Sequence, residues 1–261
     1  MDGAGFVTYL AKSLEKGSRP SESERMFLRD QLAAASGREL KQWALALRES
    51  QLPDPLKKEI LVSIAPRMAE HDPKMAAELV VAGDDGNAFR SVIRAWLSKD
   101  AVAASAWLEE MEVPQFKNPE DLNFPALSLA AKVAADPVGM DELLEANGKL
   151  ALAALWELSA TQSPADLASV LHRVSLESKL PESDRLHVIG GTLARYRDPS
   201  MARQIVLDAG LSGEQFVKVA STMIGSLDPA GKTAGIEWAK SLPASENRAE
   251  LLRLLSASDG P

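Results

Sequence analysis

One short motif recurs along this chain. An Asp or Ser, most often followed by Pro, stands just ahead of apolar residues at helical spacing. The cases are Asp72-Pro73, Asp100, Asp136-Pro137, Ser163-Pro164, Asp198-Pro199 and Asp228-Pro229, with Ser36 as a seventh. A carboxylate or hydroxyl in that place accepts hydrogen bonds from the unpaired N–H groups of a helix start. Proline is tolerated at the first helical position and keeps the residue before it out of the α region. From Asp72 to Asp228 the motif returns about every 31 residues. Units that short cannot each enclose a core, so they must bury their apolar faces against their neighbours.

The stretch from Phe89 to Val113 shows what one unit is made of. Phe89, Val92, Ile93, Trp96 and Leu97 form one helical stripe, and Ala104, Trp107, Leu108 and Met111 form another. Between them lies a tight turn at Ser98–Asp100. Two helices of about ten residues are marginal alone and gain stability by packing. If the same geometry holds throughout, positions +4, +7 and +8 from each cap face a core. Those positions are Leu40, Trp43, Ala44; Ala76, Leu79, Val80; Ala104, Trp107, Leu108; Met140, Leu143, Leu144; Leu167, Val170, Leu171; Ala202, Ile205, Val206; and Lys232, Gly235, Ile236. Nineteen of the 21 are apolar in a chain that is 46% hydrophobic, so the repeat is not a product of composition. The last unit is out of register.

Read in order, residues 4–16 predict an N-terminal helix. Two-helix repeats follow at about 22–49, 55–82, 88–111, 125–147, 149–178, 183–209 and 212–241, and a last helix at 245–257. Pro66 predicts a kink in its helix. Gly190-Gly191 in mid-helix predicts close backbone approach. The one long irregular segment is Val113–Phe124, an insertion of the kind repeat scaffolds tolerate and sometimes use. The expected organisation is a single helical-repeat domain over 1–261. Residues 1–20 carry the capping helix, 21–243 the seven repeats, and 244–261 a C-terminal helix and tail.

Several chemistries are disfavoured. There is no cysteine, which excludes disulfides, thiol nucleophiles and cysteine zinc sites. No run approaches the length of apolar residues that spans a bilayer. MDGAGFVTYLAK lacks a signal peptide's charged start and apolar run, so the expectation is a soluble chain, cytoplasmic unless a targeting segment has been removed. Net charge of −8 argues against phosphate-neutralising nucleic-acid binding. Gly231-Lys232-Thr233 lacks the first Gly and the preceding strand of a phosphate loop. Asp184 and His187 share a helix face at metal-ligand spacing, but no third ligand is near in sequence, and His187 aligns with Leu61 and Phe89 at a packing position. His71 adjoins a cap and is expected at the surface. No Gly-x-Ser-x-Gly elbow accompanies the serines. Acid pairs such as Glu109-Glu110 and Asp141-Glu142 point about 100° apart on a helix and do not converge. The five tryptophans fit packing positions. No catalytic residue, metal site or cofactor is expected.

The helix–Asp-Pro–helix unit resembles the HEAT class of α-solenoid repeats, and the closest match is DPSMAR, Asp198 to Arg203. The other units carry Ala77, Ser105, Asp141, Ala168 and Thr233 at the Arg offset. The period is nearer to that of tetratricopeptide repeats, whose W-x-x-L-G-x-x-Y signature is absent. The resemblance covers about residues 22–257. It implies an all-α fold, a right-handed α-solenoid of about seven two-helix repeats, in which the second helices line the concave face.

The functional expectation is a non-enzymatic scaffold that presents this face to a protein or peptide. Positions +6 and +9 lie roughly opposite the core on each second helix. They include Glu78, Glu109, Glu142, Glu145, His172, Gln204 and Glu237, along with Leu45, Val81 and Leu207, and no Lys or Arg. An acidic groove with a few apolar contacts suits a basic, extended partner segment. Two other classes stay open: an enzyme with a site between helices in the groove, and a HEAT-like nucleic-acid-binding module.

Overall fold

The computed structural model describes residues 2–15, 22–116, 122–196 and 198–257. Among them are sixteen helices and no strand. The chain forms two compact units, 1–123 and 124–261. The first contains α1 (Gly3–Glu15), α2 (Glu22–Ala34), α3 (Gly37–Glu49), α4 (Asp54–Met68), α5 (Pro73–Gly83), α6 (Gly86–Leu97) and α7 (Ala101–Glu110). The second contains α8 (Phe124–Ala135), α9 (Pro137–Glu145), α10 (Gly148–Thr161), α11 (Pro164–Glu177), α12 (Glu182–Ala194), α13 (Pro199–Asp208), α14 (Gly213–Gly225), α15 (Pro229–Ser241) and α16 (Glu246–Ala257).

All seven expected caps form. Asp72 accepts from Met75 N at 3.1 Å, Asp100 from Ala103 N at 3.0 Å and Asp136 from Val138 N at 2.7 Å. Ser163, Asp198 and Asp228 accept from Asp166 N, Ser200 N and Gly231 N. At Ser36 the cap is reciprocal: its hydroxyl accepts from Glu39 N, and the Glu39 carboxylate accepts from Ser36 N at 2.9 Å. Each such cap contributes about 1 kcal/mol. Pro66 falls in the last turn of α4, three residues before the cap residue Ala69.

Burial follows the offsets. Of the 21 positions at +4, +7 and +8, seventeen are buried, and Trp107, Val170, Lys232 and Ile236 are half-buried. Two of these exceptions belong to the out-of-register repeat, where Gly235 lies hard against Ile224. Trp107 sits on the last second helix of its unit, α7, with its ring tilted against Trp96 at 5.5 Å and Phe89 at 6.2 Å. The expectation that every tryptophan is core therefore holds for Trp43 and Trp96, while Trp107, Trp156 and Trp238 are half-buried. His187 departs from its expected packing role and is exposed, because Leu186, Val188 and Ile189 occupy the buried directions of α12. His71 is exposed and lies over Gly37.

In the N-terminal unit α1 packs on α3, α3 on α4, α4 on α5 and α6, and α6 on α7. In the C-terminal unit the first helices α8, α10, α12, α14 and α16 pack in succession, and the second helices α9, α11 and α13 do likewise. Gly190 permits one of the closest approaches: a Cβ there would lie 2.7 Å from Thr222 Cβ on α14. Hydrogen bonds also join successive repeats at sequence separations close to one period. Lys41 Nζ donates to Asp72 (31 residues), Lys99 Nζ to the Glu70 carbonyl (29) and Arg67 Nη2 to the Ala33 carbonyl (34). In the second unit Lys179 donates to Glu145 (34), Trp156 Nε1 to the Gly191 carbonyl (35) and Arg203 Nη1 to the Ala234 carbonyl (31). The start of the irregular segment is anchored: Phe116 is buried, with its ring 5.5 Å from that of Phe89. Residues 117–121 of that segment lie outside the described residues.

Candidate partner-binding surface

With +4, +7 and +8 turned inward, 100° per residue puts +2, +6, +9 and +13 within about 60° of one another on the opposite side. This stripe is exposed on every second helix, apart from half-buried Val81 and His172. It is also where the chain shows large apolar side chains to solvent. Leu45 on α3, Val102 on α7, Val138 on α9, Leu176 on α11 and Leu207 on α13 all lie on it, while Met201, at +3 on α13, lies outside it, nearer the core side. Elsewhere among the described residues the exposed large apolar side chains are Met26 on α2 and Val113 after α7. Exposed Leu and Val are ordinary singly; their concentration on one face of one class of helix is informative.

The seven expected binding residues separate. Glu78 and Glu109 are exposed on α5 and α7 of the N-terminal unit, and the other five belong to the C-terminal unit. Gln204 and Glu237 come together across a groove of about 550 Å3 between α13 and α15. Its apolar walls are Leu207, Ala234 and Trp238, and Arg203 ties the two helices by its bond to the Ala234 carbonyl at 3.2 Å. Glu142 and Glu145 line a different cleft of about 400 Å3, beside Phe124, Leu129 and Leu150.

The glutamates are compensated to a degree that stripe positions alone did not suggest. Lys132 on α8 reaches Glu142 at 3.0 Å, Lys179 reaches Glu145 at 2.6 Å, and Lys240 reaches Glu237 at 2.8 Å. The hydrogen bond from Lys179, and then its charge, hold the Glu145 carboxyl below the ordinary range. Gln204 donates to Asp208 at 2.9 Å. Three lysines from a first helix, from the turn after α11 and from one turn along α15 thus reduce the acidic character expected of the face.

His172 has another task. Its Nδ1 lies 2.8 Å from the Ala209 carbonyl oxygen, which can only accept, so Nδ1 carries the proton. That carbonyl belongs to the cap of α13, and Gly210 follows it at φ +60°, where L side chains are strained. A Cβ at Gly210 would also fall 2.9 Å from the imidazole. His172 therefore fastens α11 to the end of α13.

Two features escaped the sequence reading although their signals were present. Lys41 stands at the same offset from Ser36 as Arg203 from Asp198, and it supplies the cation to the next repeat's cap, Asp72, at 3.2 Å. The stripe itself needed +2 and +13 as well as +6 and +9. On the enzyme alternative, Asp184 and His187 are both exposed. Among the described residues no three His, Asp or Glu side chains are placed to hold a metal ion, and no helix is long and apolar enough to cross a membrane. Compared with protein-family models, with curated proteins and with solved structures, the chain matches none.

Proposed function

We propose that this chain is a right-handed α-solenoid of about seven two-helix repeats, and that it binds a protein or peptide on the outward stripe of its second helices. Helices packing in succession and hydrogen bonds at separations of about one period support the solenoid reading. The observation that carries the binding reading is the segregation of exposed apolar side chains: among the described residues, five of the eight large ones lie on that stripe. Interfaces take their affinity from such buried apolar anchors, while surrounding charges tune encounter and specificity. In the N-terminal unit the anchors are Leu45 and Val102, and in the C-terminal unit Val138, Leu176 and Leu207. Glu78, Glu109, Glu142, Glu145, Gln204 and Glu237 form a polar surround of mixed charge, with Arg38 and Lys74 on the same stripe and Lys132, Lys179 and Lys240 paired to three of the glutamates.

The test is comparative affinity capture from native lysate with the wild type, with Val138→Glu/Leu207→Glu, and with Met26→Glu on a first helix as control. A partner retained by wild type and control and lost by the double variant supports the reading. Retention by the wild type and both variants contradicts it.

A further inference from the structure

Away from that stripe, the N-terminal unit holds a chamber of about 490 Å3 walled by α1, α2 and α4. This is within the range of about 300–1,000 Å3 typical of small-molecule sites. Its apolar wall is made by Phe6, Leu10, Leu32, Leu56 and Ile60. The floor is firm: Phe6 and Leu10 are buried, and the Phe6 ring stacks on Trp43 at 4.4 Å and 7°. The polar groups on the lining are the guanidiniums of Arg29 and Arg67, the carboxylate of Glu59 and the hydroxyl of Ser63, which donates to the Glu59 carbonyl at 2.9 Å. Arg67 is positioned by donating to Glu70 at 2.7 Å and to the Ala33 carbonyl at 3.0 Å. The Arg29 side chain is 74% exposed, and its contact with Asp30 is a loose 4.0 Å. It is therefore able to turn its planar fork toward a ligand carboxylate.

We propose that this chamber binds a small amphiphile with an apolar body and a single carboxylate. The body lies against Leu32, Leu56 and Ile60, and the head pairs with Arg29. Glu59 on the same lining limits the head to one negative charge. Arg67 keeps the end of α2 in place as one wall.

Calorimetric titration of the whole chain with decanoate, kept below its micelle threshold, tests this, with decyltrimethylammonium as a size-matched cation. The expected result is saturable binding of one decanoate per chain and no saturable binding of the cation. Ile60→Trp, which fills the chamber, and Arg29→Glu, which reverses the head partner, should each weaken decanoate at least tenfold. Circular dichroism shows whether each variant folds. Arg29 is at the surface, so its variant keeps the test decisive if Ile60→Trp misfolds. No saturable decanoate binding, equal binding of the cation, or undiminished binding by folded Arg29→Glu would each overturn the assignment.

Discussion

Trp43 and Trp107 occupy the same place in two repeats, seven residues beyond the cap, yet they have different surroundings. Trp43 is 1% exposed and lies flat against Phe6 of α1. Trp107 is half-buried, meeting Trp96 and Phe89 at tilts of 40° and 36°. The offset sets the direction in which a side chain points. The neighbouring helix decides how completely it is covered. In α1 the first repeat has a lid that is not itself a repeat, and this lid completes a core the repeat pattern only begins.

The largest expected effect tests that difference directly. Trp43→Ala should destabilise by roughly 3–5 kcal/mol, the cost of emptying a large buried aromatic site. Trp107→Ala should cost roughly 2 kcal/mol, because part of that ring already meets water. Equal shifts in denaturation midpoint would mean that the cover from α1 does not set the cost. Phe6→Ala should lower the midpoint through Trp43 and leave the surroundings of Trp107 untouched, which tryptophan fluorescence of single-Trp variants would report.

Gly190 sharpens the contrast between direction and cover. Helix propensity alone would make Gly190→Ala stabilising by roughly 1 kcal/mol. With Thr222 in the way, overpacking of about 1–3 kcal/mol should outweigh that gain. Thermal melting gives the sign, and a stabilised variant would mean α12 and α14 are less close than described. A smaller effect belongs to His172: replacing it by Ala removes one bond to the Ala209 carbonyl and should cost about 1 kcal/mol. Amide exchange should then quicken at the C-terminal turn of α13 before it quickens elsewhere.

The smallest effect is a pH dependence. Lys179 holds the Glu145 carboxyl below its unfolded value, so their stabilisation is fully present above the unfolded pKa and is lost as pH falls through the folded one. Both groups are at the surface, where such pairs contribute little. Lys179→Met should therefore show a small midpoint deficit at neutral pH that closes on acidification through the carboxylate range. A deficit that persists in strong acid would assign Lys179 some other role.

How far the sequence was legible follows from the range of each interaction. Helix starts were readable because a cap and its N–H donors lie within three residues, as at Asp100 and Ala103. Core positions were readable because helical angle follows from residue count. His187 was not, since one misjudged alignment turns a side chain through 100° and out to solvent. Nor were the partners of Glu142 and Glu145, because Lys132 and Lys179 approach from separate elements. The chamber beside Phe6 was equally hidden, since its walls come from three helices and no motif marks it.

The binding face is tested most directly by hydroxyl-radical footprinting of the chain with and without its captured partner. This method reads side-chain exposure, and the stripe of the second helices carries most of the exposed large apolar side chains among the described residues. Loss of labelling is expected at Val138, Leu176 and Leu207, with Met26 on α2 labelled as before. Protection of Met26 with the second helices still fully labelled would contradict this assignment of the face.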